Sequence, residues 1–320
     1  MKRIIKLVVL AMACGAAFAQ TYPTKPIRLV VGFAPGGAAD IVARTIGDPL
    51  GRLLGQSIII DNRPGAGSSM AAELVAKAAP DGYTILIASP SSQSVNPVMS
   101  KHVGYNPERD FAPISKITSS PLLVAVNPAL PLRSVTELIA EAKRAPGKFN
   151  FASSGNGSAP HLAAVLFSSV AGVEMVHVPF KGGAPAVQSV VAGDTQITFA
   201  TPPSVLPMIQ AGRLRGLAVS SRARSPVVPG FPGMEEAGLP GYDISFWYGL
   251  FVPAGTAVEL IKRLFDATAQ VMQKPEMKQS LARDGTEVST SRSPEDFAAF
   301  LREEAKLWAR LVRESGAKSD

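Results

Sequence analysis

The 320-residue chain has one cysteine, Cys14, and three histidines, His102, His161 and His177. Cys14 lies in the N-terminal leader, so a chain without the leader has no thiol, and disulfides, cysteine-ligated metals and cysteine nucleophiles are excluded. No H-x-x-x-H pattern or close His/carboxylate pair occurs, so no metal site is expected. There is no G-x-S-x-G nucleophile elbow either. Gly32 and Gly37 have P-loop spacing, but Ala38 and Ala39 stand where Lys and Ser/Thr would be needed. Gly155-Asn156-Gly157 is followed by Ser158, Ala159 and Pro160, which is not a dinucleotide fingerprint, and no cofactor is expected. Past the leader no apolar run reaches the roughly 18 residues of a membrane span. The basic excess is slight as well. The formal charge of +7 becomes +7 − 3 = +4 once Lys2, Arg3 and Lys6 leave with the leader. The remaining Lys and Arg are scattered without interleaved aromatics, which argues against a nucleic-acid partner.

The leader itself is informative. Lys2, Arg3 and Lys6 precede an apolar run at 7–13, and Ala17-Phe18-Ala19 is a small-x-small cleavage site. Residues 1–19 therefore read as a signal peptide, with the exported, periplasmic form beginning at Gln20. A lipoprotein signal cut before Cys14 favours Leu three residues earlier, where this chain has Ala11. The whole chain is globular in composition, with 46% hydrophobic and 18% charged residues, and long enough for two domains.

Short apolar runs at 27–32, 57–60, 84–88, 122–126, 149–152, 175–178, 197–200, 214–219 and 249–252 read as strands. Helical patterns at 39–54, 68–78, 134–144, 160–170, 184–192 and 204–211 alternate with them, and 256–273 and 294–315 close the chain. This alternation predicts an α/β fold of mainly parallel sheets flanked by helices. Residues 222–240, rich in Pro, Gly and Arg, read as a linker or surface loop.

Two Gly/Ser turns succeed strands and open helices: Phe33-Ala34-Pro35-Gly36-Gly37-Ala38-Ala39-Asp40, and 153–157 with Ser158 as N-cap and His161 in the first helical turn. Both helix starts offer N–H groups and a positive dipole end, which suits an anion. A Cβ at Gly37 or Gly157 is expected to block such an approach or to strain a turn needing positive φ. Asp40 either caps its helix or meets a ligand cation, and capping is the commoner role. His161 as a general base competes with His161 as a packed or hydrogen-bonded ring, and the latter is favoured because no matched nucleophile accompanies it. A third turn, at 63–69, reads as a strand-to-helix connection capped by Ser68 or Ser69.

Taken in order, YPTKPIRLVVGFAPGGAADIVAR, IIIDNRPGAGSSMAAELVAKAAPDGYTIL, FNFASSGNGSAPHLA, VHVPFKGGAPAV and FWYGLFVPAGT resemble the substrate-binding proteins of tripartite tricarboxylate transporters, the Bug or TctC-like family. The resemblance covers residue 22 to the C-terminus. It implies a two-lobed periplasmic binding-protein fold of type II, with lobe one at 22–121 plus 224–320, lobe two at 122–223 and a ligand cleft between them. It further implies that Phe33, Ala34, Pro35, Gly36, Gly37 and Asp40 from one lobe grip a carboxylate with Ser153, Ser154, Gly155, Asn156, Gly157, Ser158 and His161 from the other. Ser92, Gln93 and Thr201 would face the cleft; the loop 89–93 and Thr201 depart from the family's common pattern. The implied protein is no enzyme. It is a monomeric receptor for a small organic carboxylate, whether a di- or tricarboxylate, an amino acid or an aromatic acid, and its partners are the membrane subunits of such a transporter. Two other readings are a receptor signalling to a membrane sensor, and a secreted hydrolase using Ser158 or Ser154 with His161.

Overall fold

The computed structural model describes residues 22–100, 103–283 and 285–315; the leader with Cys14, and His102, lie outside them. The strands are β1 Ile27–Val31, β2 Ile58–Asn62, β3 Thr84–Ala88, β4 Phe111–Pro121, β5 Leu123–Val126, β6 Asn150–Ser153, β7 Val176–Pro179, β8 Ile197–Ala200, β9 Arg215–Val219, β10 Ser245–Pro253 and β11 Glu287–Val288. The helices are α1 Ala38–Leu54, α2 Ser69–Ala76, α3 Asn96–Met99, α4 Pro107–Asp110, α5 Val135–Arg144, α6 Ala159–Ala171, α7 Gly183–Ala192, α8 Pro202–Gln210, α9 Val258–Gln273, α10 Pro275–Arg283 and α11 Pro294–Ser315. A π-type turn, Ser91–Val95, sits between β3 and α3.

These strands form two sheets, ordered β11-β4-β10-β3-β1-β2 and β7-β6-β8-β5-β9. The βαβ units pair in parallel, β1 with β2 and β3, and β6 with β7 and β8. β10 and β5 run antiparallel to their neighbours, because they carry the chain from one sheet to the other and back. The fold is therefore two α/β lobes with mixed sheets. α1 shows why these sequences fold as they do. Val42, Ala43, Ile46, Leu50 and Leu54 recur at helical spacing and are buried against the sheet. Gly55 then ends the helix in a left-handed conformation, its N–H returning to the Gly51 carbonyl.

The chain crosses between lobes at two adjacent places, and one buried hydroxyl holds both. Ser220 Oγ accepts from the Leu122 N–H at 2.7 Å and donates to the Ile244 carbonyl at 2.6 Å. Its own backbone N–H and carbonyl pair with the same two residues. The second crossing thus lies at 244–245, later than the 223–224 boundary expected from sequence. Residues 220–244 pack on lobe two: Val228 and Phe231 join its core, and the buried Tyr242 donates to the Ala163 carbonyl at 2.9 Å. The Pro/Gly/Arg composition of 222–240 suggested a linker or surface loop, and the segment runs over the surface of lobe two with Val228, Met234 and Leu239 buried beneath it. The prolyl turns are closed by the surface pairs Arg222–Glu235 and Arg224–Glu236. The final helix α11 reaches α6 of lobe two, and Glu304 on it accepts from both indoles, Trp247 at 2.7 Å and Trp308 at 2.8 Å.

Ser220→Ala would leave a Leu122 N–H and an Ile244 carbonyl buried without their side-chain partner. We expect a loss of about 1–3 kcal/mol in urea unfolding, with a looser hinge seen as a larger radius of gyration in small-angle scattering. An unchanged unfolding midpoint would contradict this role for the hydroxyl.

Candidate functional site

Two like-charged dipole ends meet across the cleft. The strand β1 ends against the loop 32–37; α1 begins at the N-cap Gly37 and, from lobe two, α7 begins after Gly182, so neither N-cap residue has a side chain of its own to cap the helix. A Cβ built on Gly37 would lie 3.6 Å from the amide nitrogen of Gly183 and 3.8 Å from that of Ala184. Helix N-termini carry roughly half a positive charge each, and their first N–H groups have no intrahelical acceptor. Two such ends this close favour an anion between them.

They border a cavity lined by Phe33, Gly37, Ala38, Ala39, Ser154, Pro160, Gly183, Ala186, Thr198, Phe199, Ala200, Thr201, Ser204, Phe246 and Tyr248. Its free volume is about 20 Å³, on the scale of one water, so an organic acid enters only when the lobes part. No charged side chain lines it. Direct bonds hold the lobes together: Ala34 N–H to the Lys181 carbonyl at 3.2 Å, Ala38 N–H to Ser204 Oγ at 3.1 Å and Ala159 N–H to Ser91 Oγ at 2.9 Å. In the last two, a serine of one lobe caps a helix start of the other.

Of the residues expected to bind ligand, Phe33, Gly37, Ser154 and Thr201 line this cavity. Pro35 and Gly36 are exposed at its rim, and Ala34 makes the cross-lobe bond to Lys181. Asp40 stands inside the first turn of α1 and not at its N-cap, which is Gly37. Its buried carboxylate accepts from the Gly36 N–H at 2.9 Å, Arg44 Nε at 2.9 Å and Asn62 Nδ2 at 3.1 Å, bracing the loop from behind. Burial opposes its charge, but the bonds from Arg44, Gly36 and Asn62 outweigh it and hold the carboxyl below its ordinary range.

The second loop is spent largely on itself. Gly155 N–H goes to Ser153 Oγ at 3.1 Å, Gly157 N–H to His161 Nδ1 at 3.1 Å and Ser158 N–H to the Gly155 carbonyl at 3.1 Å. Ser158 Oγ caps α6 through the His161 N–H at 3.4 Å, and Asn156 abuts the Gly67 turn of lobe one. The amides of Gly36, Gly155 and Gly157, expected to grip a carboxylate, are bonded here to the side chains of Asp40, Ser153 and His161. Gly157 does need its left-handed φ of +67°, and a Cβ there would overlap the Asn96 carboxamide across the lobe boundary. Gly37, with φ −82°, is extended backbone, so its missing side chain matters for closeness alone.

His161 stacks on His177 at 3.9 Å between centroids, and Phe151 lies 4.9 Å beyond, with Ser153 Oγ 2.6 Å from His177 Nε2. This stack shapes the loop, with His161 Nδ1 accepting from the Gly157 amide. Ser92 and Gln93 do not line the cavity: the Ser92 carbonyl accepts from Tyr105 Oη at 2.7 Å, and Gln93 opens onto an outer groove beside Asn106 and Arg302. The third turn is held by Asn96 Nδ2, which bonds the Ala66 and Gly67 carbonyls at 3.0 Å, rather than by a serine cap.

Sequence reasoning missed Gly183, Ser204, Phe246 and Tyr248. The first belongs to the VHVPFKGGAPAV stretch, a Gly-Gly pair after a strand and before a helix, the same signal that marks 36–37.

Residues 42–317 match the sequence profile of the tripartite tricarboxylate transporter family receptors, TctC. The chain belongs to that family. The receptor is 35% identical to BugT of Bordetella pertussis over 94% of this chain and 92% of that protein. Among solved structures it resembles Rpa4515 of R. palustris, described with adipate, at TM-score 0.90 and 34% identity over 93% of this chain and 99% of that one. It also resembles MatC of Rhodopseudomonas palustris, described with bound malate, at TM-score 0.86 and 30% identity over 91% and 100%. Among the described residues no cluster of His, Cys, Asp and Glu could hold a metal, and no helix is long and apolar enough to cross a membrane.

The Asp40 brace is testable through pH. A carboxyl whose pKa is depressed on folding stabilises fully above its unfolded value of about 3.9, and the contribution is lost as pH falls through the lower folded value. Asp40→Asn should therefore cost about 2 kcal/mol in urea unfolding at pH 7 and clearly less at pH 3. A deficit independent of pH would contradict the bracing role of the charge.

Proposed function

We propose that this receptor is exported, captures a small organic carboxylate between its lobes and delivers it unchanged to the membrane subunits of a tripartite tricarboxylate-type transporter. One observation carries the reading: the α1 and α7 starts face each other at Gly37 and Gly183 in a cavity lined by no charged side chain. Their combined dipole charge of roughly one unit is matched by a single carboxylate. Family membership supports the direction, as do Rpa4515 and MatC, whose structures are described with adipate and malate.

Capture in this reading is a competition. In the closed, self-bonded form Ser204 Oγ accepts the Ala38 N–H, an amide that a carboxylate oxygen would take in its place. Because the donors come from both lobes, an acid bound to one alone makes half its contacts, and closure completes the site. Release comes with opening, with no covalent step.

A thermal-shift screen of small carboxylic acids should find ligands that raise the unfolding temperature, since binding only the folded state stabilises it by mass action. Gly37→Val keeps an allowed backbone and places methyl groups in the gap to α7. It should fold normally, bind the best acid of that screen at least 100-fold more weakly in calorimetry and lose the acid-induced compaction in scattering. A folded Gly37→Val variant that binds and closes like wild type would place the carboxylate elsewhere.

A further inference from the structure

We infer that the receptor selects carboxylates whose far end carries no charge, and that the Tyr248 hydroxyl reads that end. The inference rests on the capture of a carboxylate proposed above. Phe246 and Tyr248 stand two residues apart on β10 and so share its cleft face, while Trp247 between them packs against Phe297 and Phe300 on the other. The two rings meet edge to face at 4.9 Å between centroids. With Phe33 they give the cavity an apolar, flat-walled end. β10 shifts register immediately after Tyr248, and such irregularities re-aim side chains beside sites.

Tyr248 is 6% exposed, and its hydroxyl has no hydrogen-bond partner among the described residues. Burial also drives its ionisation far above the ordinary range, so it offers a neutral O–H. A phenol that opens onto a ligand cavity and makes no bond among the described residues is free to bond a partner on the ligand.

The charge of that partner is set by its surroundings. No Lys, Arg or His side chain lines the cavity. The two further helix starts there present few amides. α6 has Pro160 in its first turn, and its Ala159 N–H goes to Ser91 Oγ. α8 opens on Pro202 and Pro203, and its Ser204 N–H returns to the Thr201 carbonyl. A second carboxylate would thus be buried among aromatic rings with a phenol and the Thr201 and Ser204 hydroxyls as donors, an uncompensated charge. With no acidic residue in the lining, an ammonium is no better served. A hydroxyl, carbonyl or ring nitrogen on a flat or short apolar body fits.

Calorimetry on the leaderless protein with matched acids tests this: hexanoate against adipate, and benzoate against 3-hydroxybenzoate and benzene-1,3-dicarboxylate. We expect each monoacid to bind at least tenfold tighter than its diacid. Tyr248→Phe should weaken 3-hydroxybenzoate about tenfold, as loss of one hydrogen bond does, and leave benzoate within twofold. A diacid that binds tighter than its monoacid, or a Tyr248→Phe variant that shifts all acids alike, overturns the inference while carboxylate capture stands. Absence of binding by every acid in the panel overturns both.

Discussion

The arrangement depends on one unfavourable pairing, the approach of two helix N-termini of the same polarity, α1 and α7, with glycine where their backbones come nearest. Folding tolerates it because other contacts pin each end. Asp40 holds the α1 loop from behind, and the Ala34 N–H reaches the Lys181 carbonyl ahead of α7. The repulsion left over is what an anion relieves. In the function proposed above this makes a carboxylate site without a guanidinium clamp, in a cavity whose lining holds no cationic side chain.

Closure and binding draw on one set of groups. Ser204 caps α1 across the cleft, Ser91 caps α6 in the other direction, and Ser220 clasps both chain crossings at the hinge. Serine hydroxyls suit this work because each both accepts and donates and can exchange partners as the lobes move. The second loop contributes shape more than donors: its amides are used within the loop, by Ser153 and His161, and it meets Asn96 and the Gly67 turn of lobe one.

Much of this is legible in sequence where signals are local. Strand, glycine turn and helix at 27–46 and 149–170 form as their patterns predict, as do the Ser158 cap and most βαβ boundaries. β4 escapes such reading because FAPISKITSSP mixes two prolines and several polar residues; it is a strand through its long antiparallel pairing with β10, which no local pattern reveals. Composition marks 222–240 as a linker or surface loop and does not report the burial of Val228, Met234 and Leu239, which anchor it on lobe two. Loop amides at Gly36, Gly155 and Gly157 look available because their acceptors are side chains whose direction becomes visible only in three dimensions. Tyr248 shares a strand with residues that pack the core, and its unpartnered hydroxyl is a property of the assembled cleft.

The carboxylate site proposed between the starts of α1 and α7 is the claim on which the account turns. Titrating isotope-labelled protein with its best acid and following backbone amide resonances tests it directly. Large downfield proton shifts are expected at Ala38, Ala39, Gly183 and Ala184, with the Gly155 and Gly157 amides, already bonded within their loop, nearly unmoved. Dominant shifts at Gly155 and Gly157 with α7 silent would contradict it.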